Sequence, residues 1–279
     1  MKIIILIIAS NDAIHEQDLT TQKKTWINNK NKKVRILYLR GWEHNSFFLD
    51  QDTLFVPCEE NYNSILEKTI LGIKFILENI DFDVIIRSNV STYYETNRLA
   101  VELKKSRYKQ DFFGGYFDQS KQVYVKNHKN REYISGTGIF LSKRVAEKLI
   151  EIDPKSYTGT FDDLAIFDYL KNTGFKKIRM QRNNMHSTNI FIPTYHIRMK
   201  NSFNHESASR RMILVNSFFQ AKSIKAKLFA YWRISLNEVN EFRNSPESIH
   251  VFLRKNHVVF SSYSKLVLSR IFRKKFNRT

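Results

Sequence analysis

Two apolar runs near the N-terminus, separated by a polar segment of helical length, constrain the fold most strongly. Ile3–Ala9 is continuously apolar, Val34–Leu39 is a second, largely apolar run, and the polar segment Gln17–Asn31 lies between them. Strands buried on both faces have such apolar sequences, and parallel strands need a crossover between them. Ile3–Ala9 is too short to span a bilayer. The order therefore predicts a buried first strand, a helix and a second strand of a parallel sheet.

The following segments continue this alternation. Asn61–Asn79 has apolar residues at helical spacing, which predicts a helix packed on the sheet. Phe82–Ile86 reads as a third strand and ends in the polar hexapeptide Arg87–Thr92. Ligands of open α/β sheets bind at the carboxyl ends of strands, so we expect this hexapeptide to line a site. Phe112–Tyr116 is predicted to begin a further strand, and Val145–Ile150 is predicted to be part of a helix.

The segment Glu132–Ser142 contains Gly136 and Gly138 within an apolar sequence, and we predict a helix-like run there. Asp162 and Asp163 open a further predicted helix. Two glycines allow a ligand to approach the backbone closely, and carboxylates at a helix start place oxygens beside such a cleft. A bulged strand followed by an acidic helix cap, with no ligand, is equally compatible with the pattern.

Length and charge indicate how the chain is divided. A chain of 279 residues that is 42% hydrophobic can bury a large core. The net charge is +19, and from Arg198 onward 17 Lys and Arg face only four acids. We therefore predict one α/β domain over residues 1–204 and a basic, aromatic-rich helical region over residues 205–279. The single cysteine, Cys58, excludes an internal disulfide framework, which favours a reducing, cytoplasmic compartment.

The last predicted helix lies between Val258 and Phe276, where apolar residues recur every three or four positions among Lys and Arg. Such a helix can lie on an anionic membrane surface, as in a peripheral membrane protein. It can equally pack against the first domain or a second subunit of a homo-oligomer. The sequence leaves these readings open.

The order of several segments resembles that of the β1,3-galactosyltransferase and Fringe-like glycosyltransferases. The resemblance covers about residues 3–175 and rests on six pieces in order: Lys24-Thr25-Trp26, Val34–Gly41, Glu60–Ile65 with Lys68-Thr69, Phe82–Tyr93, Tyr133–Ser142 and Phe161–Leu164. It implies a GT-A (Rossmann-like) fold, a nucleotide-sugar donor, such as a UDP-sugar, and inverting transfer of a hexose to a hydroxyl. A glycan or lipid-linked acceptor would place the chain in polysaccharide biosynthesis.

The family's metal-binding aspartate motif falls on Asn89, Val90 and Ser91, and none of these is a carboxylate. Mg²⁺ and Mn²⁺ prefer anionic oxygen ligands. We therefore expect no metal cofactor. Another positive group must then stabilise the leaving diphosphate, and the candidates are His196, Arg198 and Lys200, which alternate and would share one face of an extended segment. The alternative is a solvated edge strand.

The family's acidic pair ahead of a hydrophobic residue maps onto Asp162-Asp163-Leu164. The resemblance assigns Asp163 as the base that deprotonates the acceptor hydroxyl, with Asp162 as a neighbour that raises its pKa or binds the acceptor. An acidic helix start that only satisfies backbone N–H groups is the other reading.

Donor recognition is assigned to residues around the strand ends. By the same resemblance, the donor-binding candidates are Ser10, Asn11, Lys24, Arg87, Ser88, Asn89 and Ser91, and Gly136, Thr137 and Gly138 border the sugar pocket. The sequence does not choose the sugar.

Two other classes of protein compete with a transferase. The charge of +19 and the interleaved aromatic residues are also typical of a basic nucleic-acid-binding protein. The charge is concentrated in the tail, however, and no specific nucleic-acid-binding motif is present. The missing aspartates also keep open a non-catalytic sugar-binding or scaffold protein on a GT-A fold.

Overall fold

A computed structural model describes residues 1–119, 132–158, 160–184, 194–199, 207–224, 226–231 and 233–234. The chain divides into two compact units, Met1–Asn184 with Thr194–Ile213, and Met185–Pro193 with Leu214–Thr279. In the second unit, the rings of Phe218 and Phe219 meet edge to face with centroids 5.6 Å apart. The predicted division at residue 204 stays a prediction.

The described residues form eleven strands. They are β1 (Ile3–Ile8), β2 (Val34–Trp42), β3 (Phe48–Asp50), β4 (Thr53–Pro57), β5 (Val84–Asn89), β6 (Thr92–Tyr94), β7 (Phe112–Gln119), β8 (Glu132–Ser142), β9 (Lys176–Arg179), β10 (Asn183–Asn184) and β11 (His196–Arg198). Eight of these make the central sheet in the order β3-β4-β2-β1-β5-β8-β7-β9, and β10-β11-β6 form a second, small sheet.

The central sheet is mostly parallel, as predicted. Strands β4, β2, β1 and β5 pair in parallel, and β9 pairs in parallel with β7. Strand β8 is antiparallel to both of its neighbours, and β3 is antiparallel to β4. Every residue of β1 is buried, which explains why its sequence is apolar without alternation.

Helices in the described part of the chain flank the sheets or follow them. Those with assigned bounds are α1 (Ala13–Gln22), α2 (Ile65–Asn79), α3 (Thr96–Glu102), α4 (Lys143–Leu149), α5 (Asp162–Leu170) and α6 (Ser207–Gln220). Helix α2 begins four residues later than predicted, because the Asn61 side chain accepts hydrogen bonds from the backbone N–H and hydroxyl of Ser64 and so holds a turn there. Its buried face, which includes Leu66, Ile70, Ile73 and Ile76, packs into the main core.

The prediction of a helix-like run over Glu132–Ser142 is wrong, because this segment is strand β8. It pairs with β5 and β7 on either side, and its register with β7 shifts between Gly115 and Phe117. The alternative reading, a bulged strand, is the one observed. Tertiary pairing between two strands therefore overrides the local pattern.

The tail is described only in part. Helix α6 agrees with the predicted helical character after residue 205. The segment from Val258 to Phe276 lies outside the described residues. No helix in the described part of the chain is long and apolar enough to cross a membrane.

Candidate functional site

The carboxyl ends of β1 and β5 lie side by side, since Ile8 pairs with Asn89 in register. Ser10 and Asn11 follow β1 directly, so the sheet brings three of the predicted donor-binding residues to the same edge. The Ser10 hydroxyl lies 2.6 Å from Nδ1 of His15, and Oδ1 of Asn11 accepts a hydrogen bond from Arg40 at 2.9 Å. These contacts orient both side chains at the end of the strand.

A buried ion pair holds this edge of the sheet together. The Lys68 ammonium, only 1% exposed, contacts the Glu60 carboxylate and also donates to the carbonyl of Ala9 at 3.2 Å. The other Glu60 oxygen accepts from the N–H of Gly41 at 2.6 Å. The pair therefore connects the ends of β1 and β2 to the start of α2.

Lys24 is a further predicted donor-binding residue. It is exposed in the distorted helical turn that follows α1 and lines a surface pocket of about 380 Å³. The other residues of that pocket are Glu16, Gln17, Thr20, Thr21 and Ile213.

Three residues of the polar hexapeptide at the end of β5 are hydrogen-bonded to one another. Oδ1 of Asn89 accepts hydrogen bonds from the hydroxyls of Ser91 and Thr92, at 3.2 and 2.7 Å. Ser91 and Thr92 are both buried. In this arrangement the Asn89 oxygen and the Ser91 hydroxyl shape a turn, while Asn89 itself remains partly accessible.

The carbonyl of Thr137 is a meeting point of donors from three strands. The hydroxyls of Ser88 and Tyr94 each donate to it at 2.9 Å, and Nε2 of His196 lies 3.1 Å away. Ser88 is fully buried. These contacts hold β8 against β5 and the small sheet. Ser88 and Thr137 therefore have structural contacts beside the site.

Glycine at position 138 allows this packing. A Cβ there would lie 2.7 Å from Cε1 of His196 and 2.9 Å from the Tyr94 hydroxyl. The two rings stack with centroids 5.1 Å apart. The space into which a Cβ of residue 138 would point is therefore occupied by His196 and Tyr94.

Arg87, near the end of β5, joins three elements. Its Nη2 lies 2.5 Å from Oδ2 of Asp162 at the start of α5, and its Nη1 donates to the carbonyl of Gly136 at 2.5 Å. Arg87 and Asp162 are 5% and 14% exposed. At such low exposure the ion pair is little screened by salt, and it connects the N-terminus of α5 to the end of β5.

Asp163 lies beside this pair and is partly buried. Its Oδ2 accepts from the N–H of Gly136 at 3.2 Å, and its Oδ1 accepts from the N–H of Leu164 at 2.9 Å. Burial raises the pKa of Asp163 to about 7, and the negative charge of Asp162 adds to the increase, while Arg87 and the two N–H donors oppose it. A carboxyl with this pKa is half deprotonated near neutral pH, which suits a general base.

The predicted cluster of His196, Arg198 and Lys200 is divided. His196 is fully buried on β11, and burial lowers its pKa to about 3, with a further contribution from Arg182. The imidazole is thus neutral and adds no positive charge. Arg198 is partly exposed at the end of β11, and Lys200 lies outside the described residues.

Two residues near the site were not predicted. Arg182 is buried and donates to the Ser135 hydroxyl at 2.7 Å, and Tyr133 is half-buried. Burial raises the pKa of Tyr133, and Asp118 and Asp163 raise it further. Arg182 stands in a polar segment without periodicity, so nothing in the sequence distinguishes it from a surface arginine.

No group of three or more His, Cys, Asp or Glu side chains within the described ranges is arranged to hold a metal ion.

The fold is that of the GT-A glycosyltransferases. The chain is similar in structure to a glycosyltransferase involved in the glycosylation of the major capsid of PBCV-1, with a TM-score of 0.52 and 9% identity, over 77% of this chain and 100% of that one. A second similar structure is that of the galactosyltransferase LgtC with donor and acceptor sugar analogues, with a TM-score of 0.45, 10% identity, and coverage of 81% and 98%. Neither a protein-family model nor a curated protein matches the sequence.

Proposed function

We propose that this protein is a glycosyltransferase that moves a hexose from a nucleotide-sugar to a hydroxyl of a glycan or glycolipid acceptor, with inversion and without a divalent metal. The observation that carries the proposal is Asp163, a carboxylate with a pKa of about 7, held at a helix start beside β8 in a GT-A fold. The proposal also uses the resemblance of the sequence to the β1,3-galactosyltransferase and Fringe-like enzymes.

In the proposed reaction, the acceptor hydroxyl gives its proton to the Asp163 carboxylate while its oxygen attacks the anomeric carbon. The bond from that carbon to the donor diphosphate breaks, and the nucleoside diphosphate leaves with the bonding electrons. Removal of the proton as attack proceeds lowers the barrier, and such general-base catalysis typically raises the rate about 10²- to 10⁴-fold. Attack from the face opposite the leaving group inverts the configuration.

Asp162 and Arg87 have positioning roles in this proposal. Their ion pair ties the α5 N-terminus to β5, and the backbone of Gly136 contacts both Arg87, through its carbonyl, and Asp163, through its N–H. A base must stay within hydrogen-bond reach of the hydroxyl that it deprotonates, and small displacements reduce the rate steeply. The pair therefore keeps Asp163 in place.

Donor binding is proposed at the carboxyl edge of the sheet, where Ser10, Asn11 and Asn89 lie together. The partly exposed Asn89 occupies the position where a metal-dependent relative would carry a carboxylate. Positive charge for the departing diphosphate would come from Arg198 and Lys200, since His196 is neutral. The basic C-terminal region would bring the enzyme to an anionic membrane that contains a lipid-linked acceptor.

The proposal is tested by a screen of nucleotide-sugars for binding, hydrolysis and transfer, each with EDTA and with added Mn²⁺. Transfer from one donor that persists in EDTA is the expected result. Binding of a sugar or glycan with no turnover for any donor would instead indicate a sugar-binding or scaffold protein. Tight binding of a generic DNA duplex without any nucleotide-sugar binding would indicate a nucleic-acid-binding protein.

A further inference from the structure

Arg182 is a buried arginine whose charge has no acidic partner within the described ranges. It is 9% exposed, and its Nη1 donates only to hydroxyls, those of Ser135 at 2.7 Å and Thr137 at 3.4 Å. Its Nε is buried and makes no hydrogen bond. A buried charge is normally paired with an opposite charge, so this arrangement lacks its counter-ion.

A second arginine lies near the first. Asn183 pairs with Ile197 in the parallel ladder between β10 and β11, so the residue before Asn183 and the residue after Ile197 fall on the same face. These residues are Arg182 and Arg198. The pKa of Arg182 is lowered by burial first and by the positive charge of Arg198 second. Within the described residues, neither guanidinium forms an ion pair with a carboxylate.

The residues around the Arg182 guanidinium stabilise its positive charge, but they do not neutralise it. The Arg182 guanidinium lies 3.8 Å from the centroid of the Tyr116 ring, an arrangement that favours a cation over the ring face. Asp118 lies within electrostatic range and favours the charged form of Arg182, with a smaller effect than Arg198 and Tyr116. His196 contributes no charge because it is neutral.

The arginine pair neighbours the proposed base. Ser135, which accepts from Arg182, directly precedes Gly136, whose N–H donates to Asp163 at 3.2 Å. Tyr133, two residues before Ser135, experiences the charges of Asp163, Arg182 and Arg198 together. An anion bound between the arginines would therefore lie close to the reacting groups.

We propose that Arg182 and Arg198 form an anion-binding site that receives the diphosphate of the donor, with the buried Arg182 as the fixed member and the partly exposed Arg198 as the member facing the ligand. Planar guanidinium groups bind phosphate oxygens through paired N–H donors, and a diphosphate supplies enough charge for two of them. The assignment of the bound anion as the diphosphate of the donor rests on the proposed function. The anion site itself does not.

The test is calorimetric titration of the full-length protein with inorganic diphosphate, uridine diphosphate and uridine. Arg182→Gln and Arg198→Gln should each weaken binding of both diphosphates by about tenfold or more, and leave uridine unaffected. Arg182→Lys should recover only part of the affinity, because lysine keeps the charge and loses the fork. Arg179→Gln is the matched control, since Arg179 is an exposed arginine on the neighbouring β9.

Several outcomes would overturn the inference. Wild-type affinity in both glutamine variants, no diphosphate binding by the wild-type protein, or an equal loss in Arg179→Gln would each reject the site. Weaker binding of inorganic diphosphate with unchanged binding of uridine diphosphate would reject the donor assignment. If Arg182→Gln does not fold, Arg198→Gln still decides the question. Diphosphate binding that depends on the arginines, with no transfer from any donor, would keep the site and reject the proposed transferase.

Discussion

The backbone N–H of Gly136 donates to Oδ2 of Asp163 across 3.2 Å, while the carbonyl of the same glycine accepts from Arg87. A single residue of β8 thus contacts, through its N–H and its carbonyl, both the proposed base and the arginine that pairs with Asp162. A Cβ at position 136 would lie 2.5 Å from Nη1 of Arg87 and 3.5 Å from Oδ2 of Asp163. A larger residue at this position would therefore have to displace the Arg87 guanidinium.

We expect Gly136→Ala to displace Arg87, to reduce transfer strongly and to cost about 1–3 kcal/mol of unfolding free energy through overpacking. Gly174→Ala is the matched control, because Gly174 has a φ of 77° and open space around it. That change should cost about 1–2 kcal/mol through backbone strain and leave transfer intact. Chemical denaturation and turnover measure both effects. An equal loss of activity in the two variants would contradict the role of Gly136.

The pKa of Asp163 predicts the pH dependence of turnover. The base works in its deprotonated form, so kcat/KM should rise about tenfold per pH unit below pH 7 and level off above it. A pH–rate profile between pH 5 and 9 measures this. An acid limb with a midpoint near 4 would mean that another group, or an unperturbed carboxylate, is the base.

The same pKa predicts a stability effect with the opposite sign. Because the folded pKa of Asp163 is raised above its usual value of 3.8, the folded state binds the proton more tightly than the unfolded state does. Its contribution to stability is therefore greatest below about pH 4 and is lost as the pH rises towards 7. Relative to Asp163→Asn, the wild-type protein should become more stable as the pH falls from 8 to 4. Denaturation at both pH values tests this, and the reverse trend would contradict the raised pKa.

Arg87→Gln should shift the acid limb of the pH–rate profile upward. Arg87 lowers the pKa of Asp163, so its removal allows the pKa to rise further. It also leaves Asp162 without its cation, and breaking a buried pair in this way costs about 3–5 kcal/mol. Arg144→Gln, which removes an exposed arginine paired with Asp111 at 3.0 Å, should change neither property. An unshifted profile in Arg87→Gln would separate Arg87 from the base.

The buried pair at the sheet edge predicts a stability change. Lys68→Met leaves Glu60 without its cation and should cost about 3–5 kcal/mol. The double variant with Glu60→Gln should recover part of that loss. Lys171→Met provides the exposed comparison, since the Lys171–Asp168 contact lies at the surface and should contribute less than about 1 kcal/mol. Equal costs for the two lysines would show that the Lys68 pair is unimportant for stability.

The sequence was sufficient for the parts of the fold that local patterns determine. The apolar run of β1 and the helical spacing of α2 predict buried elements, and both are present. The failure at β8 has a physical cause, because the residues on either side of the two glycines pair with distant strands, while Gly136 and Gly138 fall within the register shift between them. Pairing across the sheet is not visible in a local window.

Site residues are harder to predict because their environment depends on distant segments. The sequence indicates that Asp162 and Asp163 open a helix, but it gives no sign that Arg87 of strand β5 reaches Asp162. His196 and Arg198 alternate in the sequence, yet His196 is sealed beneath Tyr94 and Arg198 is partly exposed. The burial that makes Arg182 notable also arises only from tertiary packing.

The central claim is that Asp163 is the base. Its most direct test is turnover of Asp163→Asn beside Asp168→Asn, an identical change on the same helix α5, with the donor found in the nucleotide-sugar screen. We expect Asp163→Asn to reduce kcat by about 10²-fold or more with little change in donor affinity, and Asp168→Asn to retain wild-type turnover. Wild-type turnover in Asp163→Asn at saturating acceptor would contradict the account.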